Sequence, residues 1–397
     1  MNDFKIPDNI IKVLTVLEEN GFEAYVVGGS VRDMCRGVTP HDYDVTTSAL
    51  PDETESCFDG WRVIETGIKH GTVTVVSDGD PVEITTYRTD GEYRDNRHPV
   101  SVSFTPMLSL DLSRRDFTVN AMAYSPKRGL VDEFGGRDDL DRRIIKCVGE
   151  PDRRFGEDGL RILRALRFAS CLDFEIDGET AASILKNKHL LENISAERIC
   201  SETFRLVTGA GAERILREYE PVMRLIIPSA FDGDYEASVS ALGKCDADLI
   251  LRLSLLLRAP DGVRDLVKLK SDGATQRAVR AVTSLCISGL TDKVSLRRAL
   301  RRNDAENVLR AIEMMYVTGK TDASERDRLL ELLKATENDC VTPSMLAVNG
   351  ADIMSAGVAE GKAVGETLEK LLELVITDAV PNDKTALSEA LRRLIHA

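Results

Sequence analysis

The sequence predicts an α+β protein in which a small mixed sheet is followed by a long series of helices. Short apolar and β-branched runs alternate with glycine turns as far as Gly149-Glu150-Pro151. Beyond that point the apolar residues recur with helical spacing to the end of the chain. The 397 residues are enough for two or more domains with at least one sizeable core.

Composition narrows the class of protein. Hydrophobic residues make up 43% and charged residues 30%, and no run approaches the roughly 18–20 apolar residues of a membrane span. The N-terminus MNDFKI lacks the apolar core of a signal peptide, so we expect a cytoplasmic protein. Eight cysteines without a Cys-x-x-Cys pair disfavour a zinc site. The net charge of −14 means that any nucleic-acid binding needs local basic patches.

The first elements lead to a glycine turn. Residues 8–20 have the spacing of an amphipathic helix that stops at Gly21, and residues 22–27 form a short apolar strand. Segment 28–33 (GGSVRD) follows, and its glycines let the backbone approach a ligand closely. Exposed N–H groups and Arg32 favour an anion such as a triphosphate, although a plain strand-to-helix turn also fits. No Walker-type phosphate loop is present.

Segment 41–46 (HDYDVT) carries two carboxylates on a second predicted strand. Residues i and i+2 of a strand point to the same face, so Asp42 and Asp44 would converge. Two carboxylates this close repel each other unless a cation lies between them. Mg²⁺ suits such a site because it takes one or two carboxylates and completes its shell with water and phosphate oxygens. A lone Asp-x-Asp is also compatible with a solvated turn.

Further short elements complete the predicted sheet. We expect a short helix at residues 52–58, a turn at 66–71, and strands at 72–76 and 81–88. Glu83 lies early in the last strand between two apolar residues, where a buried, unpaired carboxylate is unfavourable. It either joins the metal site as a third carboxylate or lies exposed at an edge. Residues 89–99 are polar without a period and predict a mobile loop beside the site.

Segment 113–122 (SRRDFTVNAM) predicts a helix capped by Ser113, with Arg114 and Arg115 in its first turn. Cations there oppose the helix dipole. We therefore expect an anionic partner, either a phosphate or the carboxylates of the site. Residues 130–136 predict a strand that runs into a glycine turn.

The helical half begins with a basic segment. Residues 156–169 predict a helix on which Asp158 and Arg161 are neighbours and Arg164 and Arg167 continue the basic face. Residues 114–167 hold 13 Lys or Arg against 10 Asp or Glu, so basic charge gathers near the predicted site. A solvated helix face would look the same.

More helices follow, among them residues 247–258, 325–336 and 385–395. Segment 296–302 (LRRALRR) places arginines four residues apart on one helix face. This stripe is either a contact for a phosphate backbone or a solvated face. A last segment opens near residues 342–343.

Together these features indicate phosphoryl transfer. An Asp-x-Asp strand, a preceding glycine turn with an arginine, and a third carboxylate suggest a two-metal site. One ion would lower the pKa of an attacking hydroxyl, and the other would hold a triphosphate and its leaving pyrophosphate. The protein then supplies positioning and charge neutralisation.

The order of these motifs resembles that of a known family. Segments 28–33 (GGSVRD), 42–44 (DYD), 66–73 (TGIKHGTV), 114–120 (RRDFTVN) and 157–161 (EDGLR) look like the ordered motifs of the class II CCA-adding enzymes, the tRNA nucleotidyltransferases of bacteria and eukaryotes. Segment 195–199 (SAERI) is similar to a further motif of that family. Segments 348–353 and 361–365 resemble the tail of the Gram-positive type.

The resemblance implies a fold, a reaction and roles for residues. It implies a nucleotidyltransferase head at residues 1–150, a helical neck at 151–208, a helical body at 209–338 and a tRNA-binding tail at 339–397. It implies addition of C, C and A to the tRNA 3′ end from CTP and ATP, with Mg²⁺ as cofactor and no obligate protein partner. The implied catalytic and metal-binding residues are Asp42 and Asp44, with Glu83 as the third catalytic carboxylate. The implied nucleotide-binding residues are Gly29, Arg32, Arg115, Asp158, Arg161, Arg164 and Arg167.

The implied base-reading role also has a chemical argument. C and A each present an amino donor beside a ring-nitrogen acceptor, which a carboxylate and a guanidinium match. Asp158 and Arg161 would therefore accept both bases, whereas U and G present the opposite polarity. Sites built on hydrogen bonds can reject such mismatches by ~10⁴ or more.

Three alternatives stay open from the sequence. A poly(A) polymerase or a partial enzyme that adds only CC or only A belongs to the same superfamily, although segment 66–73 and the complete loop at 88–104 favour the full CCA type. A non-catalytic RNA-binding relative would have no need of the three carboxylates. The only His-Asp doublet is His41-Asp42, inside the predicted catalytic strand, and the other four histidines form no ligand cluster, so we expect no phosphohydrolase activity.

Overall fold

The computed structural model describes residues 4–64, 71–91, 102–259 and 261–396. They form two compact units, Met1–Ile226 and Ile227–Ala397. The predicted fold class is confirmed, because a mixed sheet occupies the first unit and helices make up the rest. The finer division at residues 150, 208 and 338 stays a prediction. In the described part of the chain, no helix has the length and apolar character to cross a membrane.

The first unit contains all the strands of the described chain. They are β1 (Ala24–Val27), β2 (Asp44–Thr47), β3 (Arg62–Ile64), β4 (Thr72–Ser77), β5 (Asp80–Thr86), β6 (Arg88–Asp90), β7 (Val102–Phe104), β8 (Ala123–Ser125), β9 (Gly129–Val131), β10 (Ile144–Ile145) and β11 (Glu175–Ile176). Seven of them form one sheet in the order β3-β4-β5-β2-β1-β8-β9. The sheet is mixed because β2 runs parallel to β5, whereas its other neighbouring pairs are antiparallel.

The register of the sheet places the site. Val27 at the end of β1 lies opposite Asp44, so the glycine turn after β1 starts beside that carboxylate. Val45 lies opposite Ile84 in the parallel pair β2 and β5. Extending that register by one residue puts Glu83 beside Asp44, and neighbours across a sheet share a face.

The helices of the first unit cover the sheet and then continue the chain. They are α1 (Asp8–Glu19), α2 (Gly29–Cys35), α3 (Pro51–Cys57), α4 (Leu108–Ser113), α5 (Gly136–Asp141), α6 (Pro151–Glu157), α7 (Leu160–Leu172), α8 (Gly178–Asn187), α9 (Ala196–Val207), α10 (Ala212–Glu218) and α11 (Glu220–Ile226). Helix α1 shows why the periodicity was informative: its buried residues Ile10, Val13, Leu14 and Leu17 follow helical spacing. Each such buried side chain contributes about 1.5–3 kcal/mol.

A small hydrophobic cluster lies behind the strand ends that carry the site. Tyr25 and Val27 of β1 pack with Tyr87, with Leu112 of α4 and with Ala123 of β8. These side chains are between 0% and 5% exposed, so the strand ends have little freedom to shift. A rigid support of this kind holds the polar groups above it in fixed positions.

The predicted loop at residues 89–99 is wrong at its beginning. Residues Arg88–Asp90 form β6, which pairs with Val102–Phe104 in an antiparallel ribbon. The polar composition concealed this strand because both faces of a two-stranded ribbon are largely open to water. Residues 92–99 of that segment, and residues 66–70 of the predicted turn, lie outside the described residues.

The second unit is helical throughout its described residues. Its helices are α12 (Tyr235–Leu242), α13 (Leu249–Leu256), α14 (Val263–Lys268), α15 (Gly273–Ser288), α16 (Lys293–Leu300), α17 (Ala305–Val317), α18 (Ala323–Ala335), α19 (Gly350–Ser355), α20 (Lys362–Ile376) and α21 (Lys384–His396). One arginine of the predicted stripe is structural, because Arg297 is buried and paired with Asp339 and Asp378.

Candidate active site

Three carboxylates meet where β2 and β5 lie side by side. Asp44 is the first residue of β2 and Glu83 lies on β5. Asp42 precedes the strand, so the prediction that both aspartates lie on one strand is wrong for Asp42. Glu83 is exposed, so the predicted burial penalty does not arise. Desolvation raises the pKa of Asp44 above its ordinary value, and the charges of Asp42 and Glu83 raise it further, while Arg115 lowers it. The carboxylates of Asp42 and Glu83 are therefore close enough to Asp44 to affect its pKa.

A cation would relieve this repulsion, and the donor set fits Mg²⁺. Within the described chain, no group of three or more His, Cys, Asp or Glu side chains is arranged to hold a metal ion by itself. Mg²⁺ does not need such a cage, because it binds through one or two carboxylates and takes its other ligands from water and phosphate. Asp42 and Asp44 supply the two carboxylates that such a site needs, and all of their donor atoms are oxygens. The role of Glu83 as the third carboxylate of a metal site stays a prediction.

The glycine turn after β1 fits closely against an arginine. Gly28 has a positive φ of 77°, and a Cβ atom there would lie 3.1 Å from Nη1 of Arg115. Only glycine meets both requirements without strain. Gly29 has no positive φ, and its nearest group is the guanidinium of Arg32 at an ordinary contact distance. The conformational need for glycine therefore falls on Gly28 rather than on the predicted Gly29.

Arg32 is held in place by three partners. Its Nη1 donates to Oδ1 of Asn120 at 2.8 Å, and its Nε and Nη2 donate to the carboxylate of Asp33 at 3.0 Å. The guanidinium also lies 5.4 Å from the ring centre of Phe168. Contacts on two sides fix the fork of Arg32 toward the cavity.

The predicted helix at residues 113–122 is wrong. Helix α4 ends at Ser113, whose hydroxyl donates to the carbonyl of Leu110 instead of capping a helix. Arg114 and Arg115 follow the C-terminus of α4, where cations are favourable. Their anionic partner is Asp111 in the same helix, which accepts from Arg114 Nη2 at 2.8 Å and from Arg115 Nη2 at 3.2 Å.

Asp111 is a fully buried carboxylate that the sequence did not reveal. Burial would raise its pKa, but the two guanidiniums lower it below its ordinary value. Its Oδ2 also lies 3.4 Å from the hydroxyl of Thr46 on β2. Asp111 therefore links α4 to the strand that carries Asp44. Arg115 keeps one buried donor, Nε, without a partner among the described residues.

One cavity collects nearly every predicted site residue. It has a volume of about 570 Å³ and lies between the glycine turn, the start of β2, and helices α7 and α9. It is lined by seven arginines, four aspartates and four other residues: Arg32, Arg114, Arg115, Arg161, Arg164, Arg167, Arg205, Asp42, Asp44, Asp116, Asp158, Gly28, Gly29, Asn120 and Phe168. Nine of the ten predicted residues are in this set, and Glu83 is the exception. The excess of guanidiniums suits a polyphosphate.

Glu83 lines a second cavity on the other side of the same carboxylates. That cavity has a volume of about 640 Å³ and shares Asp42 and Asp44 with the first. Neither Lys nor Arg lines it, whereas His41, Tyr43 and Glu83 do. Asp42 and Asp44 thus separate a strongly basic space from one without a permanent cation.

Helix α7 sends Arg164 and Arg167 into the cavity, each with a carboxylate partner. Arg164 Nε donates to Oδ2 of Asp116 at 2.8 Å, and Arg167 Nε donates to Oε2 of Glu202 at 2.9 Å. Burial would raise the pKa of Asp116, but Arg164 lowers it to about 2. The ring of Phe168 lies 5.3 Å from the guanidinium carbon of Arg164 and 3.6 Å from that of Arg167.

Asp158 and Arg161 both line the cavity. The prediction that they lie on one helix is wrong. The chain leaves helical geometry at Asp158, and α7 starts at Leu160. Oδ1 of Asp158 accepts the backbone N–H of Leu160 at 3.0 Å, so this side chain starts the helix. Gly159 lets the start of α7 pack closely against Leu190, because a Cβ atom there would lie 3.0 Å from the backbone carbonyl of that residue.

Both predicted base-reading residues already have protein partners. Oδ2 of Asp158 accepts from Nη2 of Arg198 on α9 at 2.9 Å. Arg161 is 9% exposed and donates to Glu157 at 2.8 Å and to the carbonyl of Arg114 at 3.0 Å. A carboxylate oxygen has two acceptor positions, so Asp158 retains capacity for a ligand.

The residues that we missed fall into two groups. Asp116 and Asn120 were inside the quoted motif at 114–120, and Arg198 inside the one at 195–199, so the motifs gave a signal for them. Asp111, Phe168, Glu202 and Arg205 had no comparable signal, because each joins the site through long-range packing.

Comparison with known proteins places these features in context. Residues 24–146 match the model of the poly A polymerase head domain, residues 247–391 that of tRNA nucleotidyltransferase domain 2, and residues 173–220 that of an RNA- and SrmB-binding site of polymerase A.

Whole-chain relatives agree with these matches. The chain is 35% identical to a CCA-adding enzyme of Lactobacillus helveticus, covering 98% of both chains. It is 37% identical to one of Levilactobacillus brevis, covering 95% of this chain and 96% of the relative. A crystal structure of the Bacillus stearothermophilus CCA-adding enzyme in complex with CTP superposes with a TM-score of 0.83 at 30% identity, covering 98% of this chain and 97% of that one.

Proposed function

The chain belongs to the family of CCA-adding enzymes, and on that premise we propose how its own residues carry out the reaction. The reaction is template-independent addition of C, C and A to the 3′ end of tRNA from CTP and ATP. The observation that carries our assignment of roles is the single cavity that holds seven arginines and both aspartates of the Asp-x-Asp motif.

The two cavities suggest how the substrates are arranged. In-line displacement at the α-phosphorus needs the attacking 3′-hydroxyl and the leaving pyrophosphate on opposite sides. A triphosphate with several negative charges fits the basic cavity, where Arg32 and Arg115 face it. The RNA terminus, which carries little charge around its hydroxyl, fits the cavity lined by Tyr43 and Glu83. Asp42 and Asp44 lie where the two substrates would meet.

Nucleotidyltransferases of this superfamily generally need a divalent metal, and we propose Mg²⁺ at Asp42 and Asp44, with Glu83 as third carboxylate. When bound, Mg²⁺ would lower the pKa of the attacking hydroxyl and neutralise charge on the triphosphate. The raised pKa of Asp44, with its carboxylate neighbours, supports this assignment. The arginines of the cavity would hold the phosphates and restrain the nucleotide.

We propose that Asp158 reads the base with Arg161, while Gly29, Arg164 and Arg167 help to bind the nucleotide. Support comes from the position of Asp158 in the cavity and from the Arg198 contact, which fixes its carboxylate. Arg161 would act through donors that its contacts with Glu157 and Arg114 leave available. We also propose the cytoplasm as the location, consistent with eight free cysteines.

One incorporation assay tests the assignment. Protein, Mg²⁺ and tRNA lacking its 3′ CCA are incubated with CTP alone, ATP alone and both, and the product ends are sequenced. We expect CC with CTP alone and CCA with both nucleotides. Long A tracts would indicate a poly(A) polymerase, and an arrest at CC with both nucleotides would indicate a partial enzyme. Binding of tRNA without any incorporation would refute catalysis.

A further inference from the structure

Arg205 lines the basic cavity, although no sequence motif pointed to it. It lies in the last turn of α9 and is exposed. Its guanidinium has no hydrogen-bond or ion-pair partner among the residues that the structure describes. Arg205 therefore faces the cavity with a full, uncompensated positive charge.

The other six arginines of the cavity differ from Arg205 in this respect, because each is paired with a carboxylate. The pairs are Arg32 with Asp33, Arg114 and Arg115 with Asp111, Arg161 with Glu157, Arg164 with Asp116, and Arg167 with Glu202. A carboxylate at this distance cancels much of the attraction that its guanidinium exerts on another anion. Within the described part of the cavity, the charge that is most available to a ligand is thus that of Arg205.

Helices α7 and α9 fix the place of Arg205 along the cavity. They run in the same direction, because Asp158 before α7 contacts Arg198 of α9, and Cys171 near the end of α7 donates to the carbonyl of Arg205 at 3.3 Å. Arg198 and Arg205 are seven residues apart in α9, which is about 10 Å along a helix axis. Arg205 therefore lies at the opposite end of the cavity from Asp158, the residue that we assign to the base.

The phosphates of a bound nucleotide belong at this same end. Arg32, which follows the glycine turn, has its guanidinium 5.4 Å from the ring centre of Phe168, and that of Arg167 lies 3.6 Å from the same centre. Phe168 thus marks the end of α7 where the anion-binding groups gather. A nucleotide whose base meets Asp158 extends its phosphate chain away from that residue, so its terminal phosphate reaches the end that Arg205 lines.

We propose that Arg205 binds the terminal phosphate of the incoming CTP or ATP and then the leaving pyrophosphate. The inference rests on the proposed function for the identity of these anions. During transfer the 3′-oxygen of the RNA forms a bond to the α-phosphorus, and its proton passes to water. The bond from that phosphorus to the bridging oxygen breaks, and this oxygen leaves with the electron pair as part of pyrophosphate. Arg205 contacts the far phosphate throughout, so it stabilises substrate and product alike.

A contact that is equally strong before and after transfer has a defined kinetic signature. It lowers KM without changing kcat, and it acts on every nucleotide because the phosphates are common to all. We therefore expect Arg205→Gln to raise KM for CTP and for ATP by the same factor, roughly tenfold. The inhibition constant of pyrophosphate should rise by a similar factor, while kcat and KM for tRNA stay unchanged.

Equilibrium binding of truncated ligands tests the contact directly. CTP, CMP and inorganic pyrophosphate are titrated into wild type, Arg205→Gln, Arg205→Lys and the matched control Arg142→Gln. Arg142 is an exposed arginine at the end of α5 that lies outside the cavity and, in the described chain, also has no side-chain partner. Thermal unfolding of each variant shows that the fold is intact.

In Arg205→Gln we expect the affinities for CTP and pyrophosphate to fall roughly tenfold and that for CMP to stay within about twofold. Arg205→Lys should restore most of the loss, because it keeps the charge, and Arg142→Gln should match wild type. The difference between wild type and Arg205→Gln should shrink as salt is added, because the contact lies at the exposed end of the cavity.

Several results would overturn the proposal. An equal loss of affinity for CMP and CTP would assign Arg205 to the nucleoside instead of the terminal phosphate. Unchanged affinities for CTP and pyrophosphate, with a rise confined to KM for tRNA, would assign it to the RNA. If wild type incorporates no nucleotide into tRNA, the proposed function fails, while the comparison of CTP, CMP and pyrophosphate still decides the role of Arg205.

Discussion

Asp158→Asn is the substitution that tests nucleotide selection most directly. Oδ1 of Asp158 is held by the N–H of Leu160, so the asparagine oxygen takes that place and α7 keeps its start. The new amide NH₂ then occupies the position of Oδ2, which faces Arg198 and the cavity. An acceptor becomes a donor in the one position that we assign to the amino group of C or A.

The size of the effect follows from the bond that is lost. A hydrogen bond to a charged group contributes about 1.5–3 kcal/mol, which corresponds to a fall of roughly 10- to 150-fold in kcat/KM for CTP and ATP. UTP presents a carbonyl that the new NH₂ can satisfy, so its kcat/KM should fall less or rise. The preference for CTP over UTP should therefore decrease by at least about tenfold.

The assay is single-nucleotide incorporation into tRNA lacking CCA, measured for each of the four triphosphates. Asp152→Asn is the matched control, because Asp152 is paired with Lys186 and lies outside both cavities of the site. It should leave selection unchanged. Strict retention of CTP and ATP by Asp158→Asn would refute our assignment of the base-reading role, whatever its overall rate.

Three further predictions address other parts of the site. Asp44→Asn removes a proposed metal ligand and should lower kcat by at least about 10³-fold, because charge stabilisation at the reacting phosphate is lost. Binding of tRNA, measured by filter binding, should stay within about twofold. A parallel loss of kcat and of tRNA binding would argue for misfolding instead. In Gly28→Ala the new Cβ atom would have to tolerate a positive φ of 77° and would lie 3.1 Å from the guanidinium of Arg115. We expect a loss of about 1–3 kcal/mol in the free energy of unfolding and a raised KM for CTP. Gly233→Ala, with open space around it, should change neither quantity. The pKa of Asp116 is lowered to about 2 from 3.8, so its contribution of roughly 2 kcal/mol to the free energy of unfolding is complete above about pH 4 and disappears as the pH falls toward 2. The difference in unfolding free energy between wild type and Asp116→Asn should therefore shrink over that range. A constant difference would refute the Arg164 contact as its cause.

The sequence predicted the features that depend on local order along the chain. The spacing of Asp42 and Asp44, the glycines beside them and the change to helices after Gly149 are all short-range patterns, and the fold follows them. Nine of the ten site residues that we predicted from the motifs line one cavity. Strand register fixes where Asp44 and Glu83 point, and helix periodicity does the same for Arg164 and Arg167. Asp42 lies before β2, so strand periodicity does not account for its position.

The errors arose at helix boundaries, which depend on burial and packing as well as on the local sequence. Arg114 and Arg115 satisfied a reasonable rule about helix dipoles, but the helix lies before them and a buried Asp111 holds them. Asp158 looked like a residue on a helix face, yet it ends one helix and starts the next. No window of sequence shows that Asp158 meets Arg198, forty residues away, because only the packing of α7 against α9 brings them together.

The phenyl ring of Phe168 has a consequence for how the cavity behaves over time. Arg32, Arg164 and Arg167 each have a guanidinium within 5.4 Å of its centre. A free arginine loses up to about 2 kcal/mol of rotational freedom when a ligand immobilises it. Here Phe168 and the carboxylate partners of these arginines restrain them in the absence of a nucleotide, so they have less freedom left to lose when one binds. We therefore expect each successive triphosphate to meet the same arrangement of guanidiniums.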